Sequence, residues 1–135
     1  MNLTQEKLDS LLKKYGGVRD ELLLVGIRDE SNPKADEFND LIGFATKDQI
    51  RLFKGTTDPG VYWTFTKINP PHGAAHYVSG WHKDLFQVGP HYNQDALRQV
   101  TPANIWRDDN ANFEKDQTDF EQTGLFGMNL HHANG

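Results

Sequence analysis

Apolar positions fall at helical intervals near the start of the chain and at strand intervals after it. Leu8, Leu11, Leu12 and Tyr15 repeat every three or four residues, which places them on one side of a helix. Thr4 stands where an N-cap is needed, and Leu3 and Leu8 have the spacing of a hydrophobic staple across it. Gly16-Gly17 supplies the stop signal. The pattern predicts an amphipathic helix within residues 1–17, packed on the rest of a single domain spanning 1–135.

From Glu21 onward the rhythm is that of strands. Leu22 to Ile27 is an unbroken apolar run, the pattern of a central strand buried on both sides. Leu41 to Thr46 and Gln49 to Lys54 read as a hairpin turning at Lys47-Asp48. Gly55-Thr-Thr-Asp-Pro-Gly60 is a turn, with Asp58 placed to cap it through its side chain. Val61 to Thr66 is rich in β-formers. Further strands are expected at Ala74–Ser79, Leu85–Val88, Asp95–Gln99, Ala103–Arg107 and Leu125–His131. The fold class this implies is mainly β (α+β), a β-sandwich or partly closed barrel with an N-terminal amphipathic helix.

The last predicted strand carries the most chemistry. Phe126, Met128 and Leu130 alternate with Gly127, Asn129 and His131, so His131 points away from the apolar face. An imidazole held on a strand suits proton transfer, since its ordinary pKa of ~6.5 lies near neutrality. The opposing view is that His131 frays with the last residues of the chain.

Composition narrows the partners. The 135 residues carry a net charge of −5, and Lys13-Lys14 is the only adjacent Lys/Arg pair, so nucleic-acid binding has no footprint. No long apolar run follows Met1, so neither a secretory signal nor a membrane span is expected. There are no cysteines, which excludes disulfides, thiolate metal sites and cysteine catalysis within these residues.

Six histidines invite a metal reading through His72 and His76, but Pro70-Pro71 and Gly73 break the helix that would align the pair. Gly55 to Gly60 lacks the Gly-Lys-Ser/Thr ending of a phosphate loop. Trp106 to Asn110 lacks the distal glutamate of a calcium loop. No metal and no cofactor is therefore expected. Arg107, at a predicted strand end, either grips a substrate carboxylate or pairs with Asp108 or Asp109.

Taken in order, five blocks resemble phage and prophage proteins related to L,D-transpeptidases of the YkuD type. They are Gly55 to Gly60, Val78-Ser-Gly-Trp-His-Lys83, Ala96-Leu-Arg-Gln99, Ile105-Trp-Arg-Asp108 and Gly124-Leu-Phe-Gly-Met-Asn-Leu-His131. The resemblance covers Leu41 to the end. It implies that His131 is the catalytic histidine that pairs with a cysteine, that Asn129 of the Asn-x-His contacts substrate beside Arg107, and that His82 and His91 line the same cleft, with His82 contacting substrate. It implies peptidoglycan stem peptides as partners, with phage-particle proteins as further ones, and acyl transfer or hydrolysis through a thiolate. The family's Ser-x-Gly-Cys segment follows its histidine; the sequence ends at Gly135 before such a segment, so cysteine chemistry requires a Cys after Gly135. The location implied is the bacterial cytoplasm or a phage particle, with action on the cell wall after delivery. The alternative is a non-catalytic structural or cargo protein of a phage-like particle.

Overall fold

The computed structural model describes residues 2–29, 31, 38–57, 74–91, 94–108, 115, 120–126 and 128–131, with the backbone alone at 120 and 131. The predicted strand at Val61–Thr66 and the capping role of Asp58 lie outside the described residues.

The helix α1 runs Gln5–Lys14, and both its ends are closed as the sequence suggests. The Thr4 hydroxyl accepts from the Lys7 amide at 3.2 Å, and Leu3 and Leu8 are both buried. At the other end the Gly17 amide reaches back to the Leu12 carbonyl at 2.7 Å and the Gly16 amide to that of Lys13 at 3.4 Å. Gly16 sits at φ +70°, which makes this a Schellman motif with glycine in the left-handed position. Lys13 and Lys14 lie in the last turn, where they complement the negative end of the helix dipole.

Among the described residues nine strands follow, all in antiparallel pairs. β1 (Leu23–Ile27), β2 (Asp40–Ala45) and β3 (Ile50–Gly55) form the first sheet in that order. The β2–β3 hairpin turns at Lys47-Asp48, closed by the Thr46 amide on the Gln49 carbonyl at 2.7 Å. The two backbones approach so closely at Gly43 that a Cβ there would run into the Arg51 carbonyl. Leu8 and Leu12 of the helix pack with Leu23 and Ala45, and Val25, Ile27, Ile50, Leu52 and Trp81 surround them. Each buried leucine contributes roughly 1.5–3 kcal/mol to that contact.

The expectation of a central β1 is corrected. Among the described residues β1 is an edge strand: Leu23 is buried while Leu24 is 46% exposed, and β2 takes the central place. An apolar run matches a two-sided strand in pattern, yet here one side faces the helix and the other is left partly open.

The second sheet has the order β4 (Ala74–Tyr77), β7 (Ala103–Asp108), β8 (Phe120–Gly124). The third has the order β5 (Phe86–His91), β6 (Gln94–Gln99), β9 (Leu130–His131). A second core draws on both: Leu85, Ala103 and Ile105 are buried, with Ala75, Tyr77, Phe86, Phe126 and Met128 packed on them. Among the described residues the three sheets do not close into a barrel, and the fold is mainly β with one short helix.

The single strand expected over Leu125–His131 is also corrected. The chain leaves the second sheet at Gly124 and joins the third only at Leu130. Between them Phe126 and Met128 both enter the shared core, and their amides donate to a side chain, Gln99, instead of a neighbouring strand. β8 itself escapes the apolar pattern because Glu121 and Thr123 alternate with Gln122 and Gly124.

Replacing Gly16 with Ala tests the helix terminus. The new methyl meets nothing within 4 Å, so only the backbone conformation opposes it. Denaturant unfolding should show a loss of about 1–2 kcal/mol with an unchanged m-value. An unaltered midpoint would show that the left-handed position is not needed.

Candidate functional site

Of the predicted site residues, Asn129 and Arg107 lie at Phe126–Asn129, where side chains from several elements meet. The centre is Gln99, the last residue of β6, which is buried. Its Nε2 donates to the Gly124 carbonyl at 2.9 Å and the Thr101 carbonyl at 3.0 Å. Its Oε1 accepts from the Phe126 amide at 3.2 Å and the Met128 amide at 3.1 Å. Every hydrogen-bonding position of the amide is thus filled by backbone. The Gln99 backbone amide in turn donates to Asn129 Oδ1 at 3.0 Å.

Asn129, expected to contact substrate, is therefore tied into the sheet. Its Nδ2 lies 3.3 Å from Nδ1 of His91, the last residue of β5. An amide nitrogen only donates, so His91 accepts on Nδ1 and carries its ring proton on Nε2 in this contact. His131 follows in β9, where it pairs with Ala96 while Leu130 pairs with Leu97. Its backbone is thus placed in a two-residue strand. The expected direction of its ring lies outside the described residues.

Arg107 approaches from β7. Its Nε donates to Gln122 Oε1 at 2.9 Å, and its guanidinium lies 5.1 Å from the Phe126 ring centre. Partial burial lowers its pKa from the ordinary value. Arg107 and Asp108 point to opposite faces of β7, as neighbours in a strand do, so Arg107 stands against Gln122 and Phe126 while Asp108 faces His76. His82 stands further back. Its Nε2 is 2.9 Å from the Val78 carbonyl, and its ring meets the edge of Tyr77 at 5.4 Å. Tyr77 completes the ring of contacts by donating its hydroxyl to the Met128 carbonyl at 2.6 Å.

A second polar cluster joins the first sheet to the second. His76 of β4 stacks on Trp106 of β7, with centroids 4.2 Å apart and planes 11° from parallel. Arg28, just past the end of β1, brings Nη2 to 3.2 Å from His76 Nδ1 and sets its guanidinium 5.5 Å from the Trp106 ring. A guanidinium only donates, so the imidazole accepts on Nδ1 and turns its Nε2–H edge toward Asp108, whose carboxylate is 3.7 Å away. The His76 and Asp108 side chains are fully buried. The pair lies within the second sheet, and Arg28 links it to the first. The buried Asp40 acts similarly at the margin of the first sheet. One of its oxygens accepts from the Asp29 amide, the other from the Thr57 amide and hydroxyl, all between 2.7 and 2.8 Å.

Sequence reasoning missed Gln99, Tyr77 and Asp40. Their types were ordinary for their positions, and each acts through a partner 11 to 51 residues away. Among the described residues no group of three or more His, Asp or Glu could hold a metal ion, and His72 lies outside them. No helix of the described residues is long and apolar enough to cross a membrane. No family model matches the chain, and neither the curated proteins nor the solved structures compared with it include a match.

Burial pushes the Tyr77 phenol well above its ordinary value of 10.0. The unfolded chain releases this proton near its ordinary pKa while the folded chain retains it. Above that pH the folded state binds more protons than the unfolded, so stability falls as pH rises. Tyr77→Phe should cost about 1 kcal/mol at neutral pH through the lost hydrogen bond, and should flatten the decline above pH of about 10. Equal slopes in variant and wild type, followed by urea unfolding across that range, would show that Tyr77 does not carry the effect.

Proposed function

We propose that this chain forms the peptide-engaging part of a phage-type L,D-transpeptidase-like domain that acts on peptidoglycan stem peptides. In the same reading the second and third sheets, which share one core, make a β-sandwich, and phage-particle proteins are further partners. The observation that carries it is the anchoring of the Asn129-Leu130-His131 stretch. β9 pairs with β6, and Asn129 is fixed from both Gln99 and His91. A motif of the Asn-x-His type on a clamped strand is what a proton-transferring imidazole requires, because geometry must be held to a fraction of an ångström.

The chemistry is conditional on a nucleophile. With a cysteine following Gly135, the His131 ring would take the thiol proton, and the thiolate would attack the stem-peptide amide carbonyl. The amide C–N bond would then break, the leaving amine would take the proton back from the His131 ring, and the acyl-enzyme would pass its acyl group to an amine or to water, freeing the thiol. Arg107, flanked by the Phe126 ring, offers a guanidinium to a peptide carboxylate.

A second reading is a non-catalytic structural or cargo protein of a phage-like particle. It is favoured by the engagement of Asn129, Arg107 and His82 in contacts within the fold, and by the absence of cysteine from the 135 residues.

The discriminating variant is His131→Ala in a longer, cysteine-bearing form of the protein. Melting should hardly change, while cross-linking or cleavage of stem peptides should fall about 100- to 10,000-fold. Activity retained within a few-fold would remove His131 from the reaction. In the 135-residue chain, a stem tetrapeptide should perturb the NMR signals of Arg107, Phe126 and Asn129. A spectrum unmoved at millimolar peptide would favour the structural reading.

A further inference from the structure

We propose that Gln99 is the positioning residue of the site, setting the place of the Asn129–His131 strand through its side-chain amide. The inference rests on the peptidoglycan reading of that strand and adds a residue that the resemblance does not supply as a functional one. β9 is two residues long and makes two pairs with β6. Two pairs alone fix a strand weakly, since isolated short ladders are marginal in water. The five-residue approach from Gly124 is held instead by the amide of Gln99. It fixes the approach at both ends, accepting from Phe126 and Met128 and donating to Gly124. The backbone of the same residue takes Asn129 Oδ1. One residue at the end of β6 thus fixes every second residue from Gly124 to Met128, then the first residue of the Asn-x-His motif.

The amide is buried, which decides its weight. A buried amide left without partners costs roughly 1–3 kcal/mol, so segment and side chain must move together or not at all. A displacement of Gln99 would carry the 126–131 stretch with it. It would affect the first sheet and its helix least, because among the described residues their core shares no member with this one.

The test uses the 135-residue protein with Gln99→Met, which keeps the length of the side chain and removes all its hydrogen bonds. Amide hydrogen exchange at Phe126 and Met128 should quicken at least tenfold, and the His131 ring signals and their titration midpoint should move. Exchange in β1, β2 and β3 should stay within twofold of wild type. Gln99→Glu supplies the rescue: its protonated carboxyl has one donor and one acceptor in nearly the same place, whereas the ionised form only accepts. Below the carboxyl's titration the Q99E spectrum should resemble wild type recorded at the same pH, and above it should approach that of Q99M. His131 signals that do not respond in a folded Q99M, or exchange that quickens uniformly over all three sheets, would overturn the proposal. So would unfolding of both variants, which would assign the amide to the whole fold. Failure of wild-type protein to perturb its spectrum with stem peptide would overturn the functional reading, and would leave the positioning result standing.

Discussion

A single buried carboxamide governs how the chain passes from the second sheet to the third. The Gln99 side chain gives both protons to carbonyls and takes two amide protons, all from backbone. The segment it holds would otherwise have to satisfy its backbone groups in a strand. Freed from that need, the chain can turn Phe126 and Met128 into one core and still deliver Asn129 and Leu130 to β6. Sequence order, core filling and the placement of the histidine all follow from that exchange of a ladder for a side chain.

The same physical rule recurs where the sheets meet. Polar groups removed from water must find partners, and here the partners belong to different elements. Asp40 draws together the end of β1 and the residue Thr57 beyond β3. Arg28 crosses from the first sheet to the stacked His76 and Trp106 of the second. A buried contact of this kind adds little net stability when its partners are counted together, and it penalises every alternative arrangement. The sheets are small, so the specificity of their association depends on such contacts as much as on apolar area. The geometry that surrounds residues 126–129 is a consequence of that association, with Arg107, Tyr77, His91 and Gln99 arriving from four strands.

Local signals were legible in the sequence and long-range ones were not. Thr4, Leu3, Leu8 and the Gly16-Gly17 pair mark the helix and its ends because caps are short-range chemistry. The hairpin at Lys47-Asp48 is legible for the same reason. Leu22 to Ile27 misleads, since an apolar run states that a strand is sticky and not which neighbours it has. Leu125 to His131 misleads because alternation is satisfied equally by a strand and by a crossing segment whose amides a glutamine accepts. The candidate site was half legible. Asn129, Arg107 and His82 lie on or behind the stretch that matters, yet each is engaged within the fold; only Arg107 had a residue-based role toward a substrate, and the resemblance gave those of Asn129 and His82.

The central claim is that the Gln99 amide, and not the two-pair ladder of β9, holds the stretch that carries the Asn-x-His motif. Native-state hydrogen exchange on the wild-type chain tests it most directly, because Phe126 and Met128 lie outside any strand. Their amides should be protected to within tenfold of the slowest amides of β6, and should exchange with them as one cooperative unit. Exchange of Phe126 and Met128 at the rate of an unstructured chain, beside a protected β6, would contradict the account.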